Sequence, residues 1–323
     1  MKIGRALIGH GRTLAPYLLR RFHDVGLPRG RRFVAPAPIV RPFEGVHDVH
    51  VGGELIDDGA CESLVIVVHG LGGSLDSYYT HLCAKAALDQ GHSVLRLLLR
   101  GADRRGGDFY HAGLREDLDA ALAASELARF RRIFIVGYSL GGHITLRWCC
   151  APKDERVVAC AAVCPPLDLG PGADHLDQPS LYIYRRHLLS GLKDAYRGIY
   201  RFGGPKPASL EHAMGAERIR DWDDRVVAPR YGFESAEAYY TSESAGPKLA
   251  SLACPTLLVI APNDPMIPFE VNERFLADAP AHCDIELIED GGHVGFPAKV
   301  PSSARFDGSR GVEAGVMRWF GEL

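Results

Sequence analysis

The 323-residue sequence lacks the long apolar run of about 18 residues that a transmembrane helix needs. It also lacks a basic excess. Thirty-seven Lys and Arg stand against 40 Asp and Glu, a formal charge of −3, so no global field draws nucleic acid or acidic lipid. Cysteine is sparse for a disulfide-stapled fold, at 8 residues; Cys149 and Cys150 are adjacent, Cys160 and Cys164 are four apart, and no C-x-x-C occurs. These cysteines read as small buried hydrophobes in a reducing compartment. Internal repeats and low-complexity tracts are missing too. The first 21 residues do not read as a secretory signal, because Gly9, His10, Gly11, Arg12 and Pro16 interrupt them. What is present is ordinary globular composition, 46% apolar and 24% charged. A cytoplasmic protein without bound metal or cofactor is the expectation.

One local bias stands out. Residues 1–32 carry Lys2, Arg5, Arg12, Arg20, Arg21, Arg29, Arg31 and Arg32 against a single acid, Asp24. Ile3, Leu7, Leu14 and Leu18 fall near one helical face. The plain reading is a solvated arm whose apolar residues dock on the domain; a sharper one is a weak peripheral contact with a membrane surface, made to meet a lipid substrate. Residues 28–45, rich in Pro and Arg, read as an extended connector.

From Leu64 the pattern becomes regular. Leu64–Val68, Ser93–Leu99, Ile133–Val136, Val157–Val163, Leu257–Ile260 and Ile285–Ile288 are short apolar runs that predict strands. Helical segments are predicted at 77–90, 114–128, 140–150, 269–278 and 311–321. Alternating strand and helix argue for a parallel sheet covered on both faces. The alternation stops at 165–250, which holds seven of the 12 Tyr and several Pro-Gly clusters. The organisation expected is therefore an arm and connector (1–45), an α/β core (46–164 and 251–323), and a helical cap inserted at 165–250.

Gly137-Tyr-Ser-Leu-Gly141 follows one predicted strand and opens a helix. A G-x-S-x-G in that setting forces the serine onto a sharp turn that lifts its hydroxyl off the sheet. A serine hydroxyl is a weak nucleophile and needs a base. His293, in Asp290-Gly-Gly-His-Val-Gly-Phe296 after the last strand, is the candidate, ahead of His143, His111 and His81. Asp264, after the strand at 257–260, would orient the imidazole, with Asp168 as the runner-up. Two backbone N–H groups should hold an oxyanion: Leu140 after the serine, and Leu71 in His69-Gly-Leu-Gly-Gly73. His47 and His50 have the spacing of a metal pair but no third ligand nearby.

With these pieces placed, the sequence resembles the α/β-hydrolase superfamily, and within it the YheT-like esterase and lipase branch. The likeness rests on Gly9-His10 with Thr13 and Pro16, His69–Ser74, Arg100-Gly101, Tyr110–Gly113, Gly137–Gly142, Tyr231-Gly-Phe233 with Tyr239-Tyr240, Asn263-Asp-Pro265, and Gly291–Phe296. Gly52–Asp57 is a weak version of that branch's acidic strand segment. The resemblance implies a sheet with a helical cap, a triad on Ser139, Asp264 and His293, and hydrolysis of short-chain or lipid acyl esters. Two alternatives share the scaffold: a non-catalytic ligand-binding protein, and a thioesterase or acyltransferase using the same triad.

Overall fold

Short β-branched runs that are apolar throughout can bury both faces, and so belong in the middle of a parallel sheet. The structure, a computed structural model, places them there. It describes residues 2–19, 26–105, 107–300, 305–306 and 311–323; the side chains at 2–6 and 17–19 are outside the description. Lys2, Arg5, Arg20, Arg21 and Asp24 of the basic arm, and Ile3 and Leu18, therefore lie outside what can be described.

In chain order the elements of the first half are α1 (Lys2–Leu19), β1 (Arg31–Pro36), β2 (His50–Ile56), β3 (Ser63–Val68), α2 (Tyr78–Asp89), β4 (Ser93–Leu98), α3 (Glu116–Leu122), β5 (Arg132–Tyr138), α4 (Leu140–Cys149) and β6 (Val157–Val163). A helical insertion follows: α5 (Leu169–Leu176), α6 (Tyr182–Arg201), α7 (Leu210–Met214), α8 (Ile219–Trp222), a π-turn over Asp223–Val227, α9 (Ala228–Tyr231) and α10 (Ala236–Glu243). The chain then returns through β7 (Thr256–Ile260), α11 (Phe269–Leu276), β8 (Cys283–Leu287) and α12 (Gly311–Gly321). The strands form one eight-stranded sheet in the order β1-β2-β4-β3-β5-β6-β7-β8. Strands β3 to β8 run parallel; β2 is antiparallel to both β1 and β4.

Alternate strand residues feed opposite layers. Val65, Val67, Phe134 and Val136 pack with α2 and with Val316, Met317 and Phe320 of α12. Leu64, Ile66, Ile133 and Ile135 face α3, α4 and the insertion. The registers Val68↔Gly137, Tyr138↔Val163 and Val163↔Val259 bring the carboxyl ends of β3, β5, β6 and β7 to one edge. Loops leaving that edge meet above the sheet, the usual ligand position in open α/β folds.

The N-terminal expectations need correction. Residues 28–45 are not all connector: Arg31–Pro36 pair with β2 as an edge strand, burying Phe33 and Ala35 between exposed neighbours. Only two inward residues among Arg and Pro carry the strand, too few to read against that composition. Gly52–Asp57, the weak segment, forms most of β2 and pairs well on both sides. The arm is a helix through residue 19, and it lies on the loops after β7 and β8.

Candidate active site

The turn between β5 and α4 is the tightest point of the sheet. A Cβ on Gly137 would stand 2.3 Å from the Gly141 carbonyl oxygen, and one on Gly141 would stand 2.5 Å from the carbonyl oxygens of Val68 and His69. Only glycine fits at either place. Between them Ser139 takes φ 52° and ψ −119°, a conformation L side chains seldom adopt. Its N–H is held by the Val163 carbonyl at 2.8 Å.

His293 and Asp264 arrive from the loops after β8 and β7. His293 Nε2 lies 2.9 Å from Ser139 Oγ, and Nδ1 lies 2.8 Å from Asp264 Oδ2. The other carboxylate oxygen, Oδ1, accepts the N–H groups of Met266 and Ile267 at 2.8 and 3.1 Å, which fixes the carboxylate. A carboxylate only accepts, so Nδ1 carries the imidazole proton and Nε2 is free to accept the serine hydroxyl. Asp264 and His293 are both buried. The structure thus brings the three expected side chains into one hydrogen-bonded row.

The loop after β3 is held at both flanks. Gly70 and Gly72 donate their N–H groups to the hydroxyls of Tyr79 and Tyr110. His69 donates from Nδ1 to the Gly70 carbonyl and accepts the Leu99 N–H at Nε2; burial pushes its pKa down to about 4, which suits this neutral role. Among the described residues, neither Leu71 N–H nor Leu140 N–H has a hydrogen-bond partner in the chain.

The other candidates lie elsewhere. Asp168 pairs with Arg274 and accepts from Ser244. His143 bridges the carbonyls of Pro166 and Glu243, and His81 contacts the Leu75 carbonyl. His111 packs at a tilt against Tyr231, with ring centres 4.2 Å apart and its pKa lowered to about 3 by burial and nearby arginines. His47 bonds the Gly45 carbonyl while His50 pairs with Asp103, so the two do not form a metal pair. Among the described residues the one trio of closely spaced ligating atoms is Cys149, Cys160 and Cys254, with sulfurs within 4.8 Å of one another in the core.

Sequence reasoning missed what supports His293. Thr13 Oγ1, on α1, accepts the His293 N–H at 2.8 Å and donates to the Gly9 carbonyl at 2.8 Å. The helix sits so close that a Cβ on Gly9 would fall 1.8 Å from the Asn263 carbonyl oxygen, beside Asp264. His10 contacts the Tyr184 hydroxyl of α6 at 2.8 Å, tying the insertion to the same helix. The Gly9-His10 and Thr13 pattern was the available signal.

Two cavities share Ser139, His293 and Leu71. The outer, of about 300 Å³, is lined by Thr13, Leu14, Tyr78, Ile183, Tyr184 and Leu188. The inner, of about 90 Å³, runs beneath the insertion past Leu140, Tyr110, Trp222, Asp223 and Tyr240. Two segments that carried the resemblance meet at its border, where Ala112 N–H donates to the Tyr239 hydroxyl; just outside them, Asp108 takes a two-pronged bond from Arg230.

A parallel sheet with a strained serine between two close-packed glycines defines an α/β-hydrolase arrangement. Residues 65–301 match the alpha/beta hydrolase family, and the chain belongs to it. Within it the chain is 34% identical over 245 residues to the Escherichia coli protein called "Putative esterase YheT", covering 72% of this chain and 70% of that one, which places it in the YheT-like branch. It is also 23% identical over 250 residues to the monoacylglycerol lipase of Saccharomyces cerevisiae, covering 72% of this chain but only 54% of the yeast protein. An esterase from Pyrococcus furiosus superposes with a TM-score of 0.53 at 18% identity, over 84% of this chain and 85% of that one, a likeness of fold. No helix among the described residues is long and apolar enough to cross a membrane.

Proposed function

We propose that this protein is a carboxylic ester hydrolase that works through an acyl-enzyme on Ser139. The observation that carries the reading is the row Ser139–His293–Asp264 where two cavities meet. The names esterase and monoacylglycerol lipase, borne by its relatives, support the same class. Ser139 Oγ attacks the ester carbonyl carbon as its proton passes to His293 Nε2, and Asp264 stabilises the resulting imidazolium. The tetrahedral oxyanion is held by the Leu71 and Leu140 N–H groups. Collapse expels the alcohol, protonated by His293. A water then gives a proton to the same imidazole and attacks the acyl carbon, and collapse releases the acid as His293 returns that proton to Ser139 Oγ.

The test is hydrolysis of p-nitrophenyl butyrate. Ser139→Ala should lose roughly 10³-fold or more in kcat, with a fluorophosphonate probe labelling the unaltered protein and not the variant. Turnover retained in the variant would show that another group is the nucleophile.

Residues 165–250 serve as the cap that shapes both cavities. The outer one receives lipid esters from a membrane surface. Its support is an apolar rim: Ile183 of α6 is exposed yet lines the cavity, and exposed Leu7 shares a helical face with Leu14, which also lines it.

A further inference from the structure

Asp223 lines the inner cavity and is its only carboxyl among the described residues. It is 8% exposed. The Tyr240 hydroxyl donates to Oδ2 at 2.6 Å, and among the described residues no other side chain bonds it. Arg220, whose charge reaches Asp223, is engaged outside with Asp174 and Glu237, and it lies over the Tyr240 ring. A buried carboxyl without a cation is costly, so it needs a reason to be there. Asp223 also opens the π-turn of residues 223–227, a local insertion that often marks a functional position in a helix. No step of the hydrolysis uses either residue, and Tyr240 belongs to the insertion motif that the reaction leaves unexplained.

We propose that the Asp223–Tyr240 pair is a recognition point for a hydroxyl on the substrate, so that the inner cavity takes an ester arm that is apolar along its length and carries a hydroxyl. This rests on the ester hydrolase reading and adds the substrate class. The rest of the lining favours a hydrocarbon chain, with Leu169, Leu176, Leu192, Ile219 and Val227 in the wall of the same cavity. Burial raises the Asp223 pKa to about 7, and Asp224 and Asp177 push the same way. Near neutral pH the group therefore exists in both forms. A hydroxyl donates to the carboxylate and accepts from the acid, so it satisfies either; an ammonium would bind only the charged form, which burial disfavours.

The test compares, in one preparation, kcat/KM for p-nitrophenyl ω-hydroxyhexanoate and hexanoate, and for the monoacetates of hexanediol and hexanol. The unaltered protein should prefer the hydroxylated member of at least one pair by about ten-fold. The first pair would place the acyl arm in the inner cavity, the second the alcohol arm. Asp223→Leu should abolish that preference, Asp223→Asn should restore part of it, and Tyr240→Phe should weaken it. A second readout needs no turnover: quenching of Trp222, in the cavity wall, should show hexanediol binding more tightly than the more hydrophobic hexanol, and Asp223→Leu should reverse the order. Ester hydrolysis with no preference in either pair, or a preference that survives Asp223→Leu, overturns the proposal and leaves the hydrolase intact. Loss of all hydrolysis in the unaltered protein would fall on the hydrolase reading instead, and the diol measurement would still decide this one.

Discussion

The two cavities that meet at Ser139 are built in different ways. The outer one is walled by α1, α6 and the loop after β3, with exposed apolar side chains at its rim. The inner one lies under the insertion, is a third of the size, and has one uncompensated carboxyl in an apolar lining. Ser139 and His293 line both. On the proposed reading, arrival and selection are divided between two spaces, while the chemistry sits on the sheet edge they share.

That division can be broken or sharpened by experiment. Asp264→Asn should have the largest effect, since the amide can donate to Nδ1 and leave the imidazole in the wrong tautomer; kcat should fall by roughly 10⁴-fold on every ester tested. A loss confined to esters with one kind of arm would mean that the cavities do not share their catalytic groups. Thr13→Val keeps the shape but removes the acceptor for the His293 N–H. It should lower kcat by about ten-fold with little change in KM, because a base held loosely costs rate rather than binding. A rise in KM with kcat preserved would recast α1 as a cavity wall alone. Leu7→Asp should have the smallest effect, a loss of a few-fold on an ester presented in anionic phosphatidylglycerol vesicles and none on p-nitrophenyl butyrate in solution. Equal losses on both would remove the rim from the arrival side.

The sheet centre and the Ser139 turn were legible because their signals are local. Strands buried on both faces must be apolar throughout, and a turn this tight must carry glycines at 137 and 141. The candidate acid and base were legible because they follow strands whose carboxyl ends share an edge. Strand β1 was hidden, since its inward residues are only Phe33 and Ala35 amid Arg and Pro. Thr13 was hidden for a different reason. Gly9 and Gly11 read as interruptions of a helix, yet Gly9 is what lets the helix approach the Asn263 carbonyl. Asp223 stands in a row with Asp221 and Asp224, which looks like a solvated acidic surface. Its burial comes with the face of Ile219, Trp222, Val226 and Val227, which the neighbouring acids mask, and nothing in the residue types announces the π-turn that it opens.

The bond between Thr13 and His293 joins residues 280 positions apart. During synthesis the hydroxyl leaves the ribosome long before the backbone group it will hold. On the proposed mechanism, a growing chain carries the nucleophile from residue 139 onward but has no base until residue 293 has emerged. Copies that stop short of it are silent on that mechanism, and the base works at its full rate only once α1 has come to rest on the His293 loop.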